Sequence, residues 1–144
     1  MRRKLFIFLL IMAMMMGVIG CSDITEKQKS IYNNDEKIIQ QADSYTYTKR
    51  ISTTRNNETK MRFQSFAGME TIYREKDAKS VIFEYDVTIQ KGDFKIVLVT
   101  PEKKVVTLVE GSEKGSETIK LKNGENKIKI VGKDAKGTIN YSVK

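Results

Sequence analysis

Histidine and tryptophan do not occur in this 144-residue sequence, and cysteine occurs once. Without histidine there is no Ser-His or Cys-His nucleophile, no imidazole general base and none of the usual zinc ligand sets. The lone Cys21 rules out an internal disulfide. Nothing like G-x-x-x-x-G-K-[ST] is present, so no phosphate-cradling loop of that type is expected. The missing tryptophan removes the broadest face on which a sugar ring can stack. Only carboxylates remain for chemistry, and the expectation is a non-enzymatic protein with no cofactor and no metal.

What is present begins with a leader. Met1-Arg2-Arg3-Lys4 is a short positive end, Leu5 to Met16 an unbroken apolar run, and Gly17-Val18-Ile19-Gly20-Cys21 follows. A positive end, a short apolar core and small residues before a cut are the marks of an export signal. As a helix, Leu5 to Ile19 would reach roughly 22 Å at ~1.5 Å per residue, short of a ~30 Å hydrocarbon core.

Val18-Ile19-Gly20-Cys21 resembles the lipobox of bacterial lipoproteins. The resemblance implies that residues 1–20 are a signal peptide, that the Cys21 thiol receives a diacylglyceryl group, and that cleavage makes Cys21 the amino terminus. Two acyl chains, often joined by a third, hold a protein to a membrane far better than one. The expected location is the extracytoplasmic face of a cell membrane, and nucleic acid is not an expected partner. The formal charge of +8 falls to +5 once Arg2, Arg3 and Lys4 leave, 26 − 3 basic against 18 acidic residues. That balance favours anionic surfaces such as lipid headgroups or wall polymers.

Residues 21–44 are polar with scattered apolar positions, and read as a lipidated start and a tether lifting the domain off the bilayer; an arm packed on the domain is the alternative. Asn34 is placed to cap a short helix through Gln41, with Asp35 and Glu36 in its first turn. From Tyr45 the apolar period becomes two. Val81, Phe83, Tyr85, Val87 and Ile89 alternate with polar neighbours; Lys91-Gly92-Asp93 is expected to turn the chain; Phe94 to Thr100 is expected to be covered on both faces at its middle. Pro101 to Lys104 is the next turn, Val105 to Val109 a strand, and Gly111 to Gly115 a loop. Asn123-Gly124 reads as a hairpin between strands carrying Ile119, Leu121, Ile128 and Ile130. Gly132 to Gly137 is expected to turn before a last strand with Ile139, Tyr141 and Val143. With weaker strands at Tyr45 to Thr54, Met61 to Phe66 and Glu70 to Arg74, residues 45–144 form about eight strands. The predicted fold is all-β, a single antiparallel β-sandwich.

Tyr85-Asp86-Val87-Thr88, Gly92 to Pro101, Asn123 to Gly132 and Lys136-Gly137 resemble small jelly-roll-like sandwich domains of bacterial lipoproteins. They are also similar to GOLD-type and carbohydrate-binding sandwiches. The resemblance implies a binding or adhesive role and transfers no site residues; Pro101-Glu102-Lys103 lacks the Asp-Gly often found after the proline.

Candidate sites follow from the strand pattern. Glu84 and Asp86 lie two apart on a polar face, about 6.6 Å between Cα atoms at ~3.3 Å per residue, a spacing open to a glycosidase pair. The same residues with Asp93 are candidate calcium ligands, and simple solvation of the strand is the plainer alternative. If Asn123-Gly124 closes a hairpin, Lys120, Lys122, Lys127 and Lys129 project together as a basic strip for anionic lipid or wall polymer, or as lysines that keep an edge unpaired. Tyr45 and Tyr47, with Tyr32 or Tyr73, are a candidate aromatic platform or else core; Met61 and Met69 read as core. The expected role is a non-enzymatic binding or protein-interaction module of the cell envelope, with wall-polymer binding as the alternative.

Overall fold

A computed structural model describes residues 24–144 of the chain, so the expected leader and Cys21 lie outside the described residues. Two short helical segments, α1 (24–29) and α2 (Asp35–Ile38), come first. Seven strands follow: β1 (Ser44–Thr46), β2 (Lys49–Arg55), β3 (Glu58–Glu75), β4 (Ser80–Val99), β5 (Val105–Glu110), β6 (Glu113–Lys120) and β7 (Asn126–Val143). All pairings are antiparallel. No helix among the described residues is long and apolar enough to cross a membrane.

Three strands organise the domain. β3, β4 and β7 run 18, 20 and 18 residues, more than twice the usual strand length, and β7 lies between the other two throughout. Each bends near its middle and contributes to two half-sheets. The first half-sheet runs β2, the start of β3, the end of β7, the start of β4, then β6. The second runs β1, the end of β3, the start of β7, the end of β4, then β5. The halves close on a core with Met61, Phe63, Phe83 and Ile139 from the first and Phe94, Ile96, Ile128 and Ile130 from the second. Phe63 stacks on Phe94 with ring centroids 5.4 Å apart, joining them. This is the predicted all-β antiparallel sandwich.

The bends replace two of the expected turns. Lys91-Gly92-Asp93 does not end a strand; it is a pair of register shifts inside β4, facing Lys136 and Lys133 of β7. Gly92 holds φ +76°, and a Cβ there would run into the Asp134 carbonyl. Asp134 itself sits at φ +51°, so the neighbouring strands bend together. Gly132 to Gly137 is therefore also strand, not turn. In β3 two shifts fall between Phe63 and Gly68 and a third between Thr71 and Tyr73, and the strand continues through them, fusing the two strands expected at Met61 to Phe66 and Glu70 to Arg74. A bulge leaves the chain extended while increasing its bend, and Gly and Asp at these sites signal bulge and turn alike.

The Asn123-Gly124 hairpin does not form. β6 pairs with β4, and β7 pairs with β3 and β4, so the segment crosses from one half-sheet to the other. Asn126 holds this crossing, its amide donating to the Lys122 and Gly124 carbonyls at 2.8 and 3.1 Å. The turn at Pro101 to Lys104 is present, with Lys103 N–H bonded to the Thr100 carbonyl at 2.9 Å.

Candidate functional site

The two half-sheets differ in what covers their outer faces. On the second, Met69, Val97, Val99 and Val131 point away from the main core and are buried under Ile31, Tyr32 and Ile38 of the N-terminal segment. Burying side chains of this size contributes about 1.5–3 kcal/mol each. Of the two expectations for this stretch, residues 31–43 take the packed arm. Asn34 caps α2 as expected, accepting from Lys37 N–H at 3.2 Å, but the helix stops at Ile38. The arm's carbonyls then meet Lys129, whose ammonium donates to Ile38 at 2.7 Å and Gln40 at 2.8 Å. Asp43 accepts from the Thr71 N–H and hydroxyl at 2.8 and 2.7 Å. The Tyr32 ring lies 4.6 Å beneath the Lys95 ammonium.

This arm redistributes the four lysines of the expected strip. Lys129 is fully buried and Lys127 is 5% exposed, its ammonium donating to Gln41 at 2.9 Å. Lys120 lies across from Ser80 on β6, and Lys122 pairs with Glu102 at 3.0 Å. The strip assumed a β6–β7 hairpin; without that pairing the four side chains share no surface. Burial pushes the Lys129 amine down to about 8; Asp43 opposes the shift, and Lys127 and Arg74 add to it.

The tyrosines separate too. Tyr47 stacks on Phe66 at 4.7 Å and packs against the core, while Tyr45 stays 43% exposed and meets the Tyr47 ring edge-on at 5.4 Å. Tyr32 lies in the arm and Tyr73 against the main core, so the four make no common platform. Tyr47 instead closes the open side of the sandwich. Its hydroxyl donates to Glu70 at 2.6 Å, and Arg50 reaches the same carboxylate at 2.9 Å, linking β2 to the far half of β3. Burial first, then the Glu70 carboxylate, pushes the Tyr47 phenol above its ordinary range.

The outer face of the first half-sheet has no such cover among the described residues. Its register aligns polar side chains in rows across the strands: Thr53, Lys60, Asn140, Asp86 and Lys114 form one. Glu58, Ser142, Glu84 and Ser116 form the next. An open groove of about 570 Å³ lies along these rows, lined by Glu84, Asp86, Asn140, Ser142, Lys114 and Ser116, among others. Glu84 accepts from Ser142 at 3.3 Å and pairs with Lys144 at 3.5 Å. Asp93 sits at the β4 bend opposite Lys133, apart from this groove. Among the described residues no cluster of three or more acidic or sulfur ligands is placed for a metal. Toward β2 the face turns cationic, with Lys49, Arg62 and Lys136 beside Gln64 and Thr138. The alternation of Lys60 and Arg62 with Met61 and Phe63 was visible in the sequence; their proximity to Lys136 and Asn140 depends on β3–β7 pairing across some 75 residues of chain.

No protein-family model matches this chain, and no curated protein matches it. Solved structures show weak likeness at low identity. A chain of the disulfide-linked pili that form Bacillus endospore appendages is 11% identical with a TM-score of 0.39, over 68% of this chain and 90% of that one. Drosophila melanogaster CENP-C bound to CAL1 is 14% identical with a TM-score of 0.36, over 89% and 98%. A CBM4 structure is 8% identical with a TM-score of 0.35, over 71% and 77%. Scores at this level carry no argument about function, which rests on the chain's own surfaces.

Proposed function

We propose that this chain is a lipid-anchored extracytoplasmic lipoprotein, a non-enzymatic module that binds a component of the cell envelope through the outer face of its first half-sheet. One observation carries the reading: of two comparable outer faces, the described residues cover one with the N-terminal arm and leave the other open, polar and grooved. A face with unburied hydrogen-bonding rows is available to a partner, while the arm-covered face is not. Anchoring follows the lipobox resemblance at Cys21.

The carboxylates fit this role better than hydrolysis. Glu84 is already engaged by Ser142 and Lys144, and the groove around it is wide open. Glu84→Gln is expected to leave any wall-substrate turnover of the preparation unchanged.

The test is co-purification from cross-linked cells with a C-terminal tag, comparing the wild-type chain with Cys21→Ser and with Asn140→Arg, which blocks the open face. Material enriched by the wild type and lost in both variants supports the proposal. Material retained by Asn140→Arg places the contact elsewhere. A Cys21→Ser chain that still sediments with membranes would refute the lipid anchor.

A further inference from the structure

The cationic corner of the open face holds charges that nothing in the described part of the molecule neutralises. Lys49, Lys60, Arg62 and Lys136 make no side-chain hydrogen bond or ion pair among the described residues. Some cations elsewhere on the described surface are paired, Arg74 with Glu125, Lys91 with Asp134 and Lys122 with Glu102, and others, among them Lys103, Lys114, Lys120 and Lys133, are not. The corner gathers four unpaired cations on adjoining strands. Keeping an edge strand unpaired accounts for lysine on β2. It does not account for Lys60 and Arg62, because β3 is paired on both sides at these positions, nor for Lys136 on the central strand β7, which faces Lys91 of β4 and falls at the β3–β7 register shift.

The spacing of these groups is that of a track. Lys60 and Arg62 are two residues apart on one strand, about 6.6 Å, and neighbouring strands add steps of about 4.8 Å. Arg62 forms a shared wall between two shallow grooves. One, of about 260 Å³, has Gln64, Gln90, Lys136 and Thr138 around it; the other, of about 250 Å³, has Ile51, Thr53 and Lys60. Uncharged donors and acceptors thus lie between the cations of the first, and Thr53 beside those of the second. Beyond them, in the Lys60 row, Asn140 carries a buried Oδ1 with no hydrogen-bond partner. A small anion would need converging cations; this surface spreads them, which suits repeated charge. The amide and hydroxyl side chains between them suit hydroxyl groups, and Phe63, which also borders the first groove, is fully buried in the core and presents no face for stacking neutral sugars.

We propose that the Arg62 corner is a binding site for an anionic polyhydroxy polymer, a sugar or polyol chain bearing phosphate or carboxylate groups. This rests on the open face being the contact surface and names the ligand class it takes. Binding follows charge neutralisation and is salt-sensitive.

The experiment titrates the full lipidated chain in neutral detergent with polygalacturonate, with a glycerol-phosphate polymer, and with neutral dextran. One or both anionic polymers are expected to bind, with affinity falling about tenfold or more between 50 and 200 mM salt. Whichever binds identifies the anion as carboxylate or phosphate. Dextran is expected to show no binding. Lys60→Gln with Arg62→Gln, both at exposed positions, is expected to weaken binding by about tenfold or more, and Lys122→Gln, outside the corner, to leave it unchanged. The site is overturned if neither polyanion binds, if dextran binds equally, or if Lys122→Gln weakens binding as much as the double variant. Failure here with a protein partner still captured in the Asn140-dependent co-purification would remove the polymer site and leave the binding-module reading standing.

Discussion

Lys129 shows how one side chain can fasten a segment and be perturbed by doing so. Its ammonium replaces water with the Ile38 and Gln40 carbonyls, which are left over where α2 stops. The folded amine titrates near 8, against 10.5 when exposed, so the folded state gives up its proton more readily than the unfolded chain. The cost of charging Lys129 is fully present below pH 8 and is relieved as pH rises toward 10.5. Chemical denaturation is expected to show stability increasing by about 1.5 kcal/mol from pH 8 to 9.5, with that increase absent in Lys129→Met. The window stops there because the tyrosines act in the opposite sense above it: Tyr32 is pushed up to about 12, so the unfolded chain ionises first. At the side seam, Tyr47→Phe removes a hydrogen bond to the Glu70 carboxylate. It is expected to cost about 1.5–3 kcal/mol in equilibrium unfolding, the range for bonds to charged groups.

At the scale of elements, the bent strands are the device that makes a sandwich from so few chain segments. Each bend needs a residue that tolerates positive φ, and in β4 that residue is Gly92. Gly92→Ala adds a Cβ against the Asp134 backbone as well as the left-handed strain. It is expected to destabilise the domain by at least ~2 kcal/mol, read as a lower denaturant midpoint. Phe63→Ala, which opens the contact between half-sheets, is expected to cost about 3–5 kcal/mol in the same measurement. β7 is the last strand made and the central one, paired along its length with β3 and β4. Its contacts are distant in sequence, which favours slow folding, and the core cannot assemble without it.

For the whole molecule, the arm decides which surface is free. Ile38 of the arm is fully buried against the sheet, so Ile38→Asp is expected to release residues 31–43 and expose Met69, Val97, Val99 and Val131. Hydrogen exchange should accelerate at Ile39, whose amide α2 holds, and at Thr71, whose amide Asp43 holds, while the paired amides of the first half-sheet keep their protection. Equal acceleration throughout would mean that the arm and sandwich fold as one unit.

The sequence by itself determined the fold class, because period-two alternation and a chain of polar turn residues permit little else. It also marked the alternating core side chains of β4 and β7, the Asn34 cap and the core methionines, all set by neighbours within a few residues. Strand partners were decided only by the tertiary structure. Asn123-Gly124 has the local chemistry of a hairpin, yet its flanking strands join different half-sheets, and with that the expected lysine strip disappeared. Lys91-Gly92-Asp93 and Gly132 to Gly137 likewise carry turn residues whose positive φ serves equally for a bend within a strand. The open face, with Arg62 beside Lys136 and Asn140, exists because distant strands are laid side by side in one register, and a cross-strand register is not written in any single stretch of chain.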